Sequence, residues 1–265
     1  MTDLRIFSYL PNPRIWKATI AARLCGVEVE VRGAKPTELP GWLWDFDARP
    51  LSEAERASAS DASTGRVGFG GALHKTAAFL DAHPFGTVPA AWSPDGRTGI
   101  FESNSIMRAV ARLGEKRCPL YGADAYEASR VDGFLDASLV FARDAQLYLL
   151  ALLDGTLSGE IHARAQEAFE IYAGGIDRAL APDRAFLVGA NLTLADICFA
   201  AELCLFMNER GRRALLGAHA LAPIVSADAE KRFARAFAHF ARLRAHPAFA
   251  PELEPYLAKL EAGAR

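Results

Sequence analysis

Three short stretches of the chain combine residue types that could do chemistry. Ser8, Tyr9 and Asn12 fall together where an apolar run, Leu4-Arg5-Ile6-Phe7-Ser8, meets Pro13. Asparagine is a good N-cap and proline suits the first helical position, so a helix opens here. The amide of Asn12 and the positive end of that helix would then point at one spot, which suits a negatively charged group. A residue that only caps its helix would look the same. Val88-Pro89 opens a second apolar run, and Glu102-Ser103 stands where a third gives way to a helical pattern. A serine N-cap and the free N–H groups behind it offer an anion a seat. An acid one residue earlier can face a cation, so the pair suits a zwitterion. Thr193-Leu194-Ala195-Asp196 carries similar residue types but has capping-box spacing, and belongs to folding.

The elements that must position these residues follow from periodicity and breakers. Residues 4–8 form a strand, 12–24 a helix stopped by Gly26, and 27–31 a period-two strand, which makes a βαβ unit. From about Arg49 to Gly71, Ala, Ser, Gly and charge replace any period, and the spacing predicts an exposed or partly disordered insertion. Leu73 to Ala82 reads as a short helix. Residues 87–92 and 98–101 read as strands around Ser93-Pro94-Asp95-Gly96, and 103–113 as a helix. The order βαβ-α-ββα predicts an α/β thioredoxin-like N-terminal domain over 1–114, with the 49–71 insertion. Pro119 and Gly122 punctuate a linker. An all-α helical bundle follows over 123–265, with long helices near 125–154 and 158–180 and shorter ones near 194–213, 229–245 and 255–262.

Composition narrows the rest. The chain has 265 residues, 51% of them hydrophobic and 23% charged, with a net charge of −2. That balance gives no electrostatic reason to expect nucleic acid or an anionic membrane as partner. No apolar run has bilayer length, and the first residues lack a secretory pattern, so a cytoplasmic protein is expected. Cys25, Cys118, Cys198 and Cys204 lack metal-ligand spacing and read as free thiols, with no metal site.

Pro84-Phe85-Gly86-Thr87-Val88-Pro89-Ala90 resembles the G-x-V-P stretch of glutathione transferases. Phe101-Glu102-Ser103-Asn104-Ser105-Ile106 resembles the E-S-x-A-I stretch that follows it in that family. Phe186-Leu187-Val188-Gly189 with Leu192-Thr193-Leu194-Ala195-Asp196-Ile197 resembles its C-terminal folding box. Each is weak alone; all three in order are specific, and they cover most of the chain outside 49–71. Residues 7–22 look most like the transferase domain of elongation factor 1 gamma, and are also similar to bacterial glutathione-dependent β-etherases and fungal transferases.

The resemblance implies a Val88-Pro89 bond that is cis, with the Val88 backbone pairing glutathione as an added strand would. It implies that Glu102 and Ser103 take the γ-glutamyl end, and that Asn12, Ser8 or Tyr9 meets the thiol, with Asn12 preferred. The loop carries no cysteine, which departs from the thiol-reductase branch. Lys75, His74 and Arg14 are the local cations for the glycine carboxylate. The implied activity is attack of the glutathione thiolate on a small apolar, aromatic electrophile, and in a narrower form cleavage of an aryl ether. Tyr9, Trp16, Phe141, Tyr148 and Phe206 could line its pocket, although at helical spacing such aromatics are more often core. A homodimer, or a heterodimer with another transferase, is implied as well. The alternative implied by elongation factor 1 gamma is a non-catalytic scaffold or subunit-pairing protein.

Overall fold

The structure, a computed structural model, describes residues 2–58, 63–64, 69 and 72–263. Its contacts divide the chain into two compact units, Met1–Cys118 and Pro119–Arg265.

In the first unit, β1 (Leu4–Tyr9) leads into α1 (Pro13–Cys25) and returns in β2 (Val29–Ala34), parallel to β1. Helix α1 starts at the Asn12 cap with Pro13 in its first turn, and ends at Gly26, whose φ of 63° suits a residue without Cβ. After a second small sheet come β7 (Ala90–Trp92) and β8 (Gly99–Phe101), then α4 (Ser103–Gly114). The main sheet runs β2-β1-β7-β8, with β7 antiparallel to both neighbours. Helices α1 and α4 pack on each other. Strand alternation sends Phe7 and Trp92 to one face, where they join a buried cluster with Trp44, Phe79 and Leu73. This is the thioredoxin-like arrangement that the element order implies.

The second sheet departs from the sequence reading. Strand β3 (Trp42–Trp44) pairs antiparallel with β4 (Arg49–Pro50) and parallel with β6 (Ala72–Lys75), which in turn pairs with β5 (Ser63–Thr64). So 73–82 is not one helix: a strand ends at Lys75, and α3 (Ala77–Ala82) begins after the Thr76 cap, whose Oγ1 accepts from Phe79 N at 3.1 Å. The strand exists because Leu43 and Trp44 lie opposite His74 and Lys75. A partner some thirty residues away leaves no mark on local periodicity.

The segment read as an exposed or partly disordered insertion also holds β4, β5 and α2 (Glu53–Ser58). Its helix is announced by Ser52-Glu53-Ala54-Glu55: Ser52 N donates to Glu55 Oε2 at 2.8 Å, and Glu55 N donates to Ser52 Oγ at 3.3 Å. Residues 59–62, 65–68, 70 and 71 of that segment lie outside the described residues.

The second unit is helical. Helix α5 (Ala125–Asp154) runs from the Asp124 cap to Gly155, and α6 (Gly159–Ala179) from the Ser158 cap. Helix α7 (Leu194–Phe206) is followed by a 310 turn at Met207–Arg212 and then α8 (Arg213–Ala218). Helices α9 (Ala227–Arg232) and α10 (Ala234–Ala245) break at Phe233, whose φ of −111° and ψ of 45° are not helical. Helix α11 (Ala250–Gly263) contains Pro255 rather than starting at it. Phe206 is the hub of the core, with ring centroids 5.4 Å from Phe141, 5.8 Å from Tyr148 and 5.2 Å from Phe169. Among the described residues, no helix is long and apolar enough to cross a membrane.

Candidate functional site

The register of the main sheet gathers the three stretches singled out above. Phe7 lies opposite Ala90, and Ala90 opposite Phe101. One step along each strand come Ser8, Pro89 and Glu102, so all three segments leave the sheet at the same end. The Val88-Pro89 bond is cis. Val88 is half-buried, and among the described residues its N–H and C=O have no partner in the protein. A residue with both backbone groups open is a template for another chain's backbone.

Glu102 and Ser103 each lie one helical position later than expected. Glu102, not Ser103, is the N-cap of α4; Ser103 is its first helical residue. Glu102 takes φ 67° and ψ 126° and makes no side-chain cap bond. A non-glycine residue held at positive φ costs on the order of 1 kcal/mol and is retained where the surroundings enforce it. The carboxylate is exposed and has no ion-pair partner among the described residues. Ser103 is buried, at 4% exposure. An exposed acid thus stands beside a helix start whose first N–H groups lack intrahelical acceptors.

The residue that holds Ser103 was not among the sequence candidates. Lys17 of α1 is fully buried, and its Nζ donates to Ser103 Oγ at 3.3 Å and to Asn104 Oδ1 at 2.8 Å. A signal was present: Lys17 falls on the same helical stripe as Pro13, Ile20 and Ala21, where an apolar residue is the rule.

Ser8 and Asn12 turn toward each other. Asn12 Nδ2 donates to Ser8 Oγ at 3.0 Å, and both residues are at most 1% exposed. Asn12 Oδ1 accepts from Arg14 N at 2.9 Å, and Asn12 C=O accepts from Ile15 N at 3.0 Å. Pro13 has no N–H, so the start of α1 is capped by Asn12 itself. Of the amide's two hydrogens, one is taken by Ser8. Tyr9 is half-buried, edge-on to Phe69 at 6.3 Å between centroids. Gly33 lies directly behind Ser8: a Cβ there would stand 1.7 Å from Ser8 O, and the φ is 154°.

Lys75 ends β6 with Nζ 5.3 Å from the Trp44 ring centroid, and burial lowers its pKa. His74 precedes it on the strand, half-buried, and Arg14 is half-buried in the first turn of α1. His83, which sequence reasoning passed over, is buried beside the Val88 segment with Nε2 3.0 Å from Thr87 Oγ1. Its Nδ1 has no partner among the described residues, and its ring lies 5.3 Å from that of Phe101. Burial, with a smaller contribution from Lys75, holds its pKa below the usual histidine value.

In the second unit, Asp196 serves the fold. Its Oδ2 accepts from Thr193 N at 2.8 Å and Thr193 Oγ1 at 3.0 Å; its Oδ1 accepts from Leu187 N at 3.0 Å and meets His239 Nε2 at 2.8 Å. Tyr148 and Phe206 are core, and the Tyr148 hydroxyl donates to Glu209 at 2.8 Å. Phe141 stacks on Tyr172 at 4.6 Å beside a groove of about 540 Å³ between α5 and α6. Trp16 is buried in α1. Among the described residues, no group of three or more His, Cys, Asp or Glu side chains could hold a metal.

Known proteins resemble this chain in sequence and in fold. Residues 13–113 match the family model for the glutathione S-transferase N-terminal domain. The chain is 27% identical over 204 residues to glutathione S-transferase-like protein FUS3 of Gibberella moniliformis, covering 75% of this chain and 74% of that one. It is 31% identical over 138 residues to elongation factor 1-gamma 3 of Oryza sativa, 50% of this chain but only 32% of the relative. Its fold matches a glutathione S-transferase of Methylobacterium radiotolerans, solved in complex with glutathione sulfonate, with a TM-score of 0.63 over 95% of each chain at 19% identity. Residues 13–113 thus match the glutathione S-transferase N-terminal domain family, and the chain shares the fold of solved glutathione transferases.

Proposed function

We propose that the N-terminal unit binds glutathione and holds its thiol as a thiolate for attack on a small apolar, aromatic electrophile. The observation that carries this reading is the pairing of an open backbone at Val88 with an exposed acid and a helix start at Glu102-Ser103. The cysteinyl backbone adds to the Val88 edge as a strand would. The γ-glutamyl carboxylate takes the Ser103 hydroxyl and the N-terminus of α4, and the α-ammonium faces Glu102. The sulfur comes to the end of β1, where Asn12 offers its second amide hydrogen, Ser8 fixes the amide's orientation, and Tyr9 flanks it. Lys75 is the cation assigned to the glycine carboxylate, ahead of His74 and Arg14. With a chlorinated arene, the S–H proton is lost, sulfur bonds to the ring carbon, and chloride leaves with the C–Cl pair.

A narrower version, cleavage of a β-aryl ether, rests only on the resemblance to bacterial β-etherases. A cytoplasmic location and pairing as a homo- or heterodimer belong to the same proposal. Incubation with glutathione and each electrophile tests both forms. Conjugation of the chloroarene with an untouched ether removes the narrow one. No turnover of either, together with no glutathione binding by calorimetry, removes both. The similarity to elongation factor 1 gamma proteins favours a second reading, a subunit-pairing domain without catalysis. Binding that is indifferent to S103A would favour that reading.

A further inference from the structure

Lys17 is fully buried, yet it has no part in the site as proposed so far. An ammonium carries three hydrogens and no lone pair, so it is the donor in every hydrogen bond it makes. Where Lys17 Nζ meets Ser103 Oγ at 3.3 Å, the serine oxygen must therefore accept. The hydrogen of that hydroxyl is left over, and it has no acceptor among the described residues. The second donation, to Asn104 Oδ1 at 2.8 Å, fixes Lys17 to the first turn of α4 from two sides.

We propose that Lys17 is a positioning residue for anion recognition at the start of α4. Its donation makes Ser103 a donor toward the ligand and adds positive potential behind the helix terminus. Lys17 then sets the affinity for the γ-glutamyl α-carboxylate without touching it. This rests on the glutathione reading above. The competing role is a peg that only joins α1 to α4.

A ligand-by-residue cycle separates the two roles. Calorimetry would compare glutathione with 4-aminobutyryl-cysteinylglycine, which lacks the γ-glutamyl α-carboxylate, on the wild-type protein, K17M, K17R and S103A. Methionine matches the length of lysine, and replacing a buried charge by an apolar side chain of similar volume is often tolerated. K17M is expected to weaken glutathione binding by about tenfold, the size of one charge-assisted hydrogen bond, and to leave the truncated ligand within about twofold. K17R should keep most of the affinity, and S103A should add little to K17M.

Equal loss for both ligands in K17M would show a peg, and no loss for either would show no role; both overturn the proposal. If K17M fails to fold, K17Q against K17R gives the same comparison. Wild-type protein that binds neither ligand overturns the glutathione reading as well. Wild-type protein that prefers glutathione, with the preference kept in K17M, overturns only the role of Lys17.

Discussion

Asn12 does two things with one amide. Its oxygen closes the start of α1 through Arg14 N, and its nitrogen holds Ser8 with one hydrogen to spare. Aspartate caps a helix about as well as asparagine but offers no N–H. N12D is therefore expected to unfold within about 0.5 kcal/mol of the wild type in denaturant, and N12A about 1 kcal/mol earlier. In N12D the ultraviolet absorbance of the bound thiolate should titrate at higher pH, and kcat/KM with a chloroarene should fall by about tenfold or more. A wild-type thiolate titration in N12D would leave Asn12 as a cap and move attention to Tyr9. The four cysteines make a second residue-scale case. Burial pushes the Cys25 and Cys204 thiols up to about 12. Cys198 is buried too, and only Cys118 is partly exposed. At neutral pH, mass spectrometry after brief alkylation of the native protein should find Cys118 labelled first, with the other three protected until denaturant is added.

At the scale of elements, the Asp196 carboxylate joins the start of α7 to Leu187 and to His239 on α10. D196A strands several buried donors at once and should cost about 3–5 kcal/mol in chemical unfolding. Glutathione binding by the molecules that remain folded should be unchanged. The Thr193-Asp196 box is legible in the sequence because it is local, while His239, 43 residues away, is not. The same division runs through the N-terminal unit. Asn12-Pro13, Gly26 and the turn after Trp92 act over a few residues, so β1, α1, β7, β8 and α4 can be placed from the amino-acid pattern alone. Strand β6 depends on Trp42–Trp44, and the Lys17–Ser103 contact spans 86 positions, so neither leaves a local pattern. Residue types point Glu102 to the ligand and Ser103 to the cap, but only the backbone angles show that the cap is Glu102.

For the molecule as a whole, His83 ties stability to pH. Its folded-state pKa lies below the ordinary 6.5, because a buried imidazole is costly to charge. The unfolded chain therefore binds more protons as the pH falls through that value, and the native state loses stability on the acid side. Above it, both states are neutral at this position and the effect vanishes. Urea unfolding of H83Q against wild type from about pH 7.5 to pH 5 should show a smaller acid loss in the variant. Parallel slopes would remove His83 as the source.

Gly114 and Lys17 are linked through a single rod. A Cβ on Gly114 would stand 2.2 Å from Cys25 Cβ, so α4 can lie against the end of α1 only while that position is bare. Ser103 is at the opposite tip of the same helix, roughly 17 Å away at 1.5 Å per residue. A methyl group at 114 would push that end of the rod away from α1, and the displacement, carried along the rigid helix, would draw the serine off its ammonium. G114A should then weaken glutathione binding severalfold, with α4 still helical by circular dichroism. Affinity at one tip is in this way tuned by clearance at the other.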